Sequence, residues 1–140
     1  YEEAASIMRK LGLSHSDVEQ LYRRMVFNEV AKNYDDHVKN ISFLMDKKGV
    51  WSLSPAYDVT FAYRKDSQWV KAHQMLINGK ADNITKEDML TVAEKVGIKK
   101  SDAEKSIEQV KNAVSKWEFF ARQTEMSERN IERIKTILGL

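Results

Sequence analysis

"SDVEQLYRRMVFNEVAK" at residues 16–32 runs directly into "NYDDHVKN" at 33–40, and this junction decides the architecture. In the first stretch Val18, Leu21, Tyr22, Met25, Val26 and Val30 recur at the spacing of one helical face. Ser16 and Glu19 stand at capping-box spacing, so the pattern predicts a buried helix from there to about Lys32. Tyr22, Arg23 and Arg24 are expected to belong to a helix with one wet face. In the second stretch Asn33, Asp35 and Asp36 favour turns, because their side chains bond their own backbone. The polar cluster is therefore predicted to sit on a loop at the end of a buried helix.

Beyond the loop, "ISFLM" and "VWSL" are apolar and β-branched segments separated by "DKKG", with Gly49 available for a positive φ. That pattern predicts a hairpin that returns the chain toward the loop. Pro55, the single proline, then directs "LSPAYDV" into an extended turn carrying Asp58. Residues 60–80 read as irregular with some extended pairing. Three helices are expected after them. The first starts at Thr85, uses Met89, Leu90, Val92 and Val96, and stops at Gly97. The second opens on a Ser101/Glu104 capping box and carries Ile107, Val110, Val114, Trp117 and Ala121 over about six turns. The last starts at Ser127 and docks Ile131, Ile134, Ile137 and Leu138. Trp51, Trp69 and Trp117 are expected as core or lobe-packing residues. The fold class read from this pattern is mainly α with a small β-hairpin, an α+β domain.

Composition narrows the function. The 140 residues, 42% of them hydrophobic, suit one domain spanning 1–140. With 23 basic against 21 acidic side chains the net charge is +2, which gives no electrostatic case for direct nucleic-acid binding or an anionic membrane. The absence of cysteine removes disulfides and thiolate metal sites, and no apolar run is long enough for a membrane span. A reducing, cytoplasmic setting is the expectation. The chain opens "YEEAASIMRK" without an initiator methionine or signal segment, and reads as a piece of a longer protein.

Asp35 precedes Asn40 by five positions, the spacing at which a kinase loop places a base for the substrate hydroxyl and an amide ligand for magnesium. Nine Asp and seven Asn in this length supply about half such a pair by chance, so the spacing alone decides little. A solvated turn remains an alternative at this point. Asp58 adds the second requirement. A hard cation bridging phosphates needs oxygen ligands from separate loops, and Asp58 lies just past the hairpin. A zinc site from Asp35, His37 and His73 is a minor alternative.

"FNEVAKNYDDHVKNISFL" followed by "GVWSLSPAYDV" resembles the C-terminal region of the HipA family, serine/threonine kinases that act as toxins of bacterial toxin–antitoxin systems. The likeness is closest over residues 25–59 and extends more loosely through "MLINGKADNITKEDMLTVAEKVGI" to the terminal helices. It implies the helical C-terminal lobe of a protein-kinase-like fold. Asp35 takes the position of the catalytic base, His37, Lys39 and Asn40 match the fixed positions after it, and Asp36 fills a variable one. Asn40 and Asp58, the latter preceded by Tyr57, are the implied magnesium ligands, with ATP as substrate. Lys39 is expected either to neutralise phosphate charge or to pair with Asp36, and His37 to buttress the loop. The family further implies a HipB-like helix-turn-helix DNA-binding antitoxin as partner, and a translation component such as an aminoacyl-tRNA synthetase as substrate.

The glycines at 12, 49, 79, 97 and 139 never cluster, so this stretch has no Gly-rich loop to cover phosphates. The nucleotide-covering parts are expected upstream of Tyr1, and the fragment alone is expected to be nearly inert. Two other readings stand beside the protein kinase: a non-catalytic helical interaction domain, and a kinase-like domain acting on a small molecule.

Overall fold

The computed structural model describes residues 1–140. In chain order these form α1 (Glu2–Lys10), α2 (His15–Val30), a 3-10 turn (Val38–Asn40), β1 (Phe43–Met45), β2 (Trp51–Leu53), α3 (Lys86–Lys95), α4 (Lys100–Val114), α5 (Trp117–Ala121) and α6 (Glu128–Leu138). The architecture is mainly α with one two-stranded antiparallel sheet.

Helix α2 is the central strut, packed against α4, α1 and β2. Its stripe of Val18, Leu21, Tyr22, Met25 and Val26 is buried, with Met25 and Val26 fully enclosed, while Val30 is half-buried. Each such side chain contributes about 1.5–3 kcal/mol on burial. The start of α2 differs from the Ser16/Glu19 box expected. Ser14 is the N-cap: its Oγ accepts from Asp17 N at 3.2 Å, and Asp17 Oδ2 accepts from Ser14 N at 3.1 Å. The other Asp17 oxygen accepts from Leu53 N at 3.1 Å, so the carboxylate that caps α2 also holds β2. This tertiary use favours the earlier box.

Two residues short of the expected end, α2 stops at Val30 in a Schellman arrangement. Asn33 N donates to Asn28 O at 2.8 Å and Lys32 N to Glu29 O at 3.3 Å, with Lys32 in the left-handed region at φ 55. Glycine would usually occupy that position. Lys32 holds it while its Nζ donates to Glu29 Oε1 at 2.8 Å. The reversal aims the chain into the loop.

In the hairpin, Phe43 faces Leu53 and Met45 faces Trp51. The connecting turn uses Gly49 at φ 82, and Asp46 Oδ1 accepts from the Lys48 and Val50 amides at 2.7 and 2.9 Å. At its exit Arg24 Nη2 donates to Ser54 O at 2.5 Å. Arg24 is thus half-buried and ties α2 to the chain that leads to Asp58, whereas Arg23 is exposed as expected. Tyr22, only 3% exposed, belongs wholly to the core.

The irregular region after Asp58 makes two isolated bridges, Asn33 with Ala62 and Ile77 with Lys80. Thr85 then caps α3 in a box with Asp88, and Gly97 closes it at φ 79, as the sequence predicts. The six-turn helix expected next is two helices, which makes four in this part of the chain. Ile98 is buried directly after the Gly97 turn and Lys99 is extended, so α4 begins before Ser101 can cap it. At the far end Ser115 Oγ donates to Asn112 O at 2.9 Å, a local bond that competes with helix continuation. A short turn at Ser115 and Lys116 leads into α5, which docks on α6. Ile131 and Ile134 bury the latter, and Ile137 and Leu138 are half-buried. Trp51 and Trp117 are half-buried, but Trp69 is 75% exposed on the irregular segment and is no core residue. No helix is long and apolar enough to cross a membrane.

Candidate functional site

The loop after α2 is fixed by backbone on one side and side chains on the other. Tyr34 N donates to Ala62 O and Ala62 N to Lys32 O, both at 3.0 Å, which lays residues 60–63 alongside the loop entrance. Asn40 N donates to His37 O at 2.9 Å, closing the 3-10 turn. The Asn40 side chain reaches back, Nδ2 donating to the Asp35 carbonyl at 3.1 Å. One end of the Asp35–Asn40 spacing therefore holds the other.

The second loop is pinned to the first by Tyr57. Its hydroxyl donates to Lys39 O at 2.6 Å and lies 2.5 Å from Ser42 Oγ. Asp58 follows at φ 52, a left-handed conformation that Asp tolerates better than most residues. The two loops meet over a cleft lined by His37, Asn40, Tyr57 and Asp58 above, and by Arg24 and Asp36 below. The structure thus brings Asn40 and Asp58, from separate loops, to the lining of one cleft. Asp35 does not line it; its side chain is half exposed, with Oδ1 4.0 Å from Nε2 of the cleft-lining His37. Lys39 points to solvent and forms no ion pair. Its expected pairing with Asp36 is absent, because Asp36 is turned the other way.

Asp36 is the residue that sequence reasoning undervalued. Its side chain is 1% exposed and carries four donors. His73 Nδ1 approaches Oδ2 at 2.7 Å, Tyr1 Oη donates to the same oxygen at 2.5 Å, and the Gln74 and Met75 amides donate to Oδ1 at 2.8 and 3.5 Å. The opposite nitrogen of His73, Nε2, lies 2.9 Å from Glu29 Oε2. Burial by itself pushes the Asp36 carboxyl up, but the bond and charge of His73, with Tyr1 and the Gln74 amide, outweigh it and leave the group below its ordinary value. For Glu29 burial also pushes up, and His73 and Lys32 reverse the direction. For His73 burial pulls down, and the two carboxylates overcome it, raising the imidazole above its ordinary value.

A signal for this cluster exists in the sequence. Glu29 continues the stripe of Tyr22, Met25 and Val26, and a carboxylate on a buried helical face demands a cationic partner. That partner, His73, lies 44 positions away in the least legible segment, so the demand is readable while its answer is not. A zinc site through His73 is ruled out by its two carboxylate partners, and no group of three or more His, Asp or Glu side chains is arranged to hold a metal.

The oxygen donors at the cleft suit a small hard cation. Asn40 spends its Nδ2 on the loop, which leaves its amide oxygen for a ligand, and the Asp58 carboxylate is exposed and free of any ion pair. One amide and one carboxylate are the sparse oxygen set from which magnesium is held together with substrate phosphates. No curated protein matches the sequence. A family model, described as the HipA-like C-terminal domain, matches residues 1–117, from α1 through the first residue of α5.

Proposed function

The chain belongs to the HipA-like C-terminal domain family, and from that premise we propose that it is the catalytic lobe of a serine/threonine kinase that transfers the γ-phosphoryl group of Mg-ATP to a protein hydroxyl. The observation that carries this reading is that Asn40 and Asp58, from two separate loops, line one cleft together with His37, whose Nε2 lies 4.0 Å from Asp35 Oδ1. A bound magnesium ion would neutralise charge on the phosphates, and Asn40 and Asp58 would hold it. Asp35 accepts the proton of the attacking hydroxyl at its exposed carboxylate. His37 lies between Asp35 and the cleft and buttresses the base. Lys39, free and exposed on the same turn, is available to phosphate charge.

Positioning and charge stabilisation dominate phosphoryl transfer, so activity is assigned to an intact parent that also supplies a nucleotide-covering region. A cytoplasmic toxin role, with a HipB-like antitoxin as partner and a translation component such as an aminoacyl-tRNA synthetase as substrate, is the biological setting we infer from the family. The direct test is Asp35→Asn in the intact parent. Phosphorylation should fall by about 10²–10⁴-fold while Mg-dependent ATP binding, followed by calorimetry, persists. Retained phosphorylation would remove Asp35 from its role, and absence of Mg-dependent ATP binding in the unaltered parent would favour an interaction domain.

A further inference from the structure

Beneath the candidate site lies a charged cluster that the chemistry does not use. From α2 come Glu29 and, at its C-terminal reversal, Lys32; from the loop come Tyr34 and Asp36; from the irregular segment comes His73; and Tyr1 closes it at the start of the chain. The His73 side chain is 0% exposed, and its ring packs tilted against Tyr34, centroids 4.3 Å apart and planes at 47°. A carboxylate faces each ring nitrogen, at 2.7 and 2.9 Å. Carboxylates only accept, so both bonds require both nitrogens to donate, which an imidazolium does. Asp36 and Glu29 are then balanced by His73 and Lys32, whose Nζ lies 2.8 Å from Glu29, and a neutral set of four charges is what burial tolerates.

We propose that His73 is a positioning residue, a charged clamp that fastens the Asp36 backbone to α2 and thereby fixes the adjacent Asp35. This assignment rests on the phosphoryl-transfer reading for its purpose, though not for its geometry. Asp35 has no strong side-chain partner of its own, with its nearest charged neighbour at 4.0 Å, so its direction is set by the backbone on either side. On its C-terminal side Asn40 holds the Asp35 carbonyl, and Asp36, the next residue, is held by His73, Tyr1 and the Gln74 amide; on its N-terminal side the Tyr34 amide donates to Ala62 O at 3.0 Å. Removing the clamp would leave the C-terminal side of Asp35 held by the Asn40 amide alone. A catalytic group displaced by a fraction of an ångström loses much of its advantage, which is how a buried histidine without contact to substrate can govern rate.

The test separates clamp from catalysis. In the unaltered chain, an imidazole nitrogen NMR titration should find both His73 nitrogens still mostly protonated at about pH 6.5, where an ordinary histidine is half neutral. In His73→Gln, amide exchange at Asp36, Asn40 and Gln74 should accelerate about tenfold or more while the α4 amides keep their protection. A neutral His73 ring, or loop exchange unchanged in the variant, overturns the clamp. If His73→Gln does not fold, Asp36→Asn, which keeps the size and one acceptor, serves for the same measurement. In the intact parent the variant should lose kcat with little change in KM for ATP, and the alkaline limb of its rate profile should flatten. An equal loss in both parameters with the limb intact also overturns the proposal. An unaltered parent without phosphoryl transfer would sink the kinase reading, while the NMR result still decides the clamp.

Discussion

Asp35 and Asp36 are the same side chain at neighbouring positions, and the structure treats them oppositely. Asp35 is 50% exposed with no close partner, whereas Asp36 is 1% exposed with four donors about it. The upper region of the loop keeps its oxygens unspent, and the lower region spends all of them. An exposed carboxylate without close partners is thus carried by a neighbour whose bonds are all made. A loop can hold an unsatisfied base at its surface only when the opposite face is anchored well enough to oppose the backbone's freedom, which costs about 1–2 kcal/mol per residue to fix.

The contrast can be broken by exchange of function for stability. Asp35→Asn in the intact parent should lower phosphoryl transfer by about 10²–10⁴-fold, the range of a positioned base, and leave the denaturation midpoint of the chain unchanged. Asp36→Ala should do the reverse in this chain. It strands a buried imidazolium, and loss of one partner of a buried ion pair costs about 3–5 kcal/mol, read as a lower urea midpoint. Should Asp35→Asn destabilise as strongly as Asp36→Ala, the division between the two regions fails.

Acid and base sharpen the same comparison. The His73 imidazole sits above its unfolded value near 6.5, so its contribution is complete below that pH and is lost as pH rises through the raised folded value. Asp36 and Glu29 sit below their unfolded values near 4, so theirs is complete above that range and is lost as pH falls through the lowered values. Stability of the chain, followed by urea denaturation, should therefore peak between about pH 4.5 and 6.5. In His73→Gln the alkaline decline should vanish. A smaller effect is expected of Tyr57→Phe, which loses bonds to Lys39 O and Ser42 Oγ at a half-open surface. It should cost about 0.5–1.5 kcal/mol and weaken Mg-dependent ATP binding in the parent, since it frees the Asp58 loop from the Asn40 loop.

The upper region was the more legible of the two in the sequence. Asp35, Asn40 and Asp58 are local features, set by a helix end, a five-residue spacing and a hairpin, all of which leave periodic or turn-forming marks. The hairpin register follows from alternation around Gly49 in the same way, and the apolar stripe of α2 marks its buried face. What failed to be legible was settled by distant partners. Ser14 won the cap of α2 because Asp17 is also needed at Leu53, and Arg24 left the wet face for Ser54 O. The Asp36 clamp depends on His73 and Tyr1, each more than thirty positions away. The break between α4 and α5 lies at an ordinary Ser-Lys pair that no periodicity distinguishes, and is fixed by the docking of α5 on α6.

Asp17 has a consequence for how the molecule breathes. Because one oxygen closes the first turn of α2 and the other receives the Leu53 amide, fraying of the helix and detachment of the strand are a single opening event. The amides of Asp17 and Leu53, 36 positions apart, should exchange with a common protection, and that shared motion would carry the Asp58 loop with it.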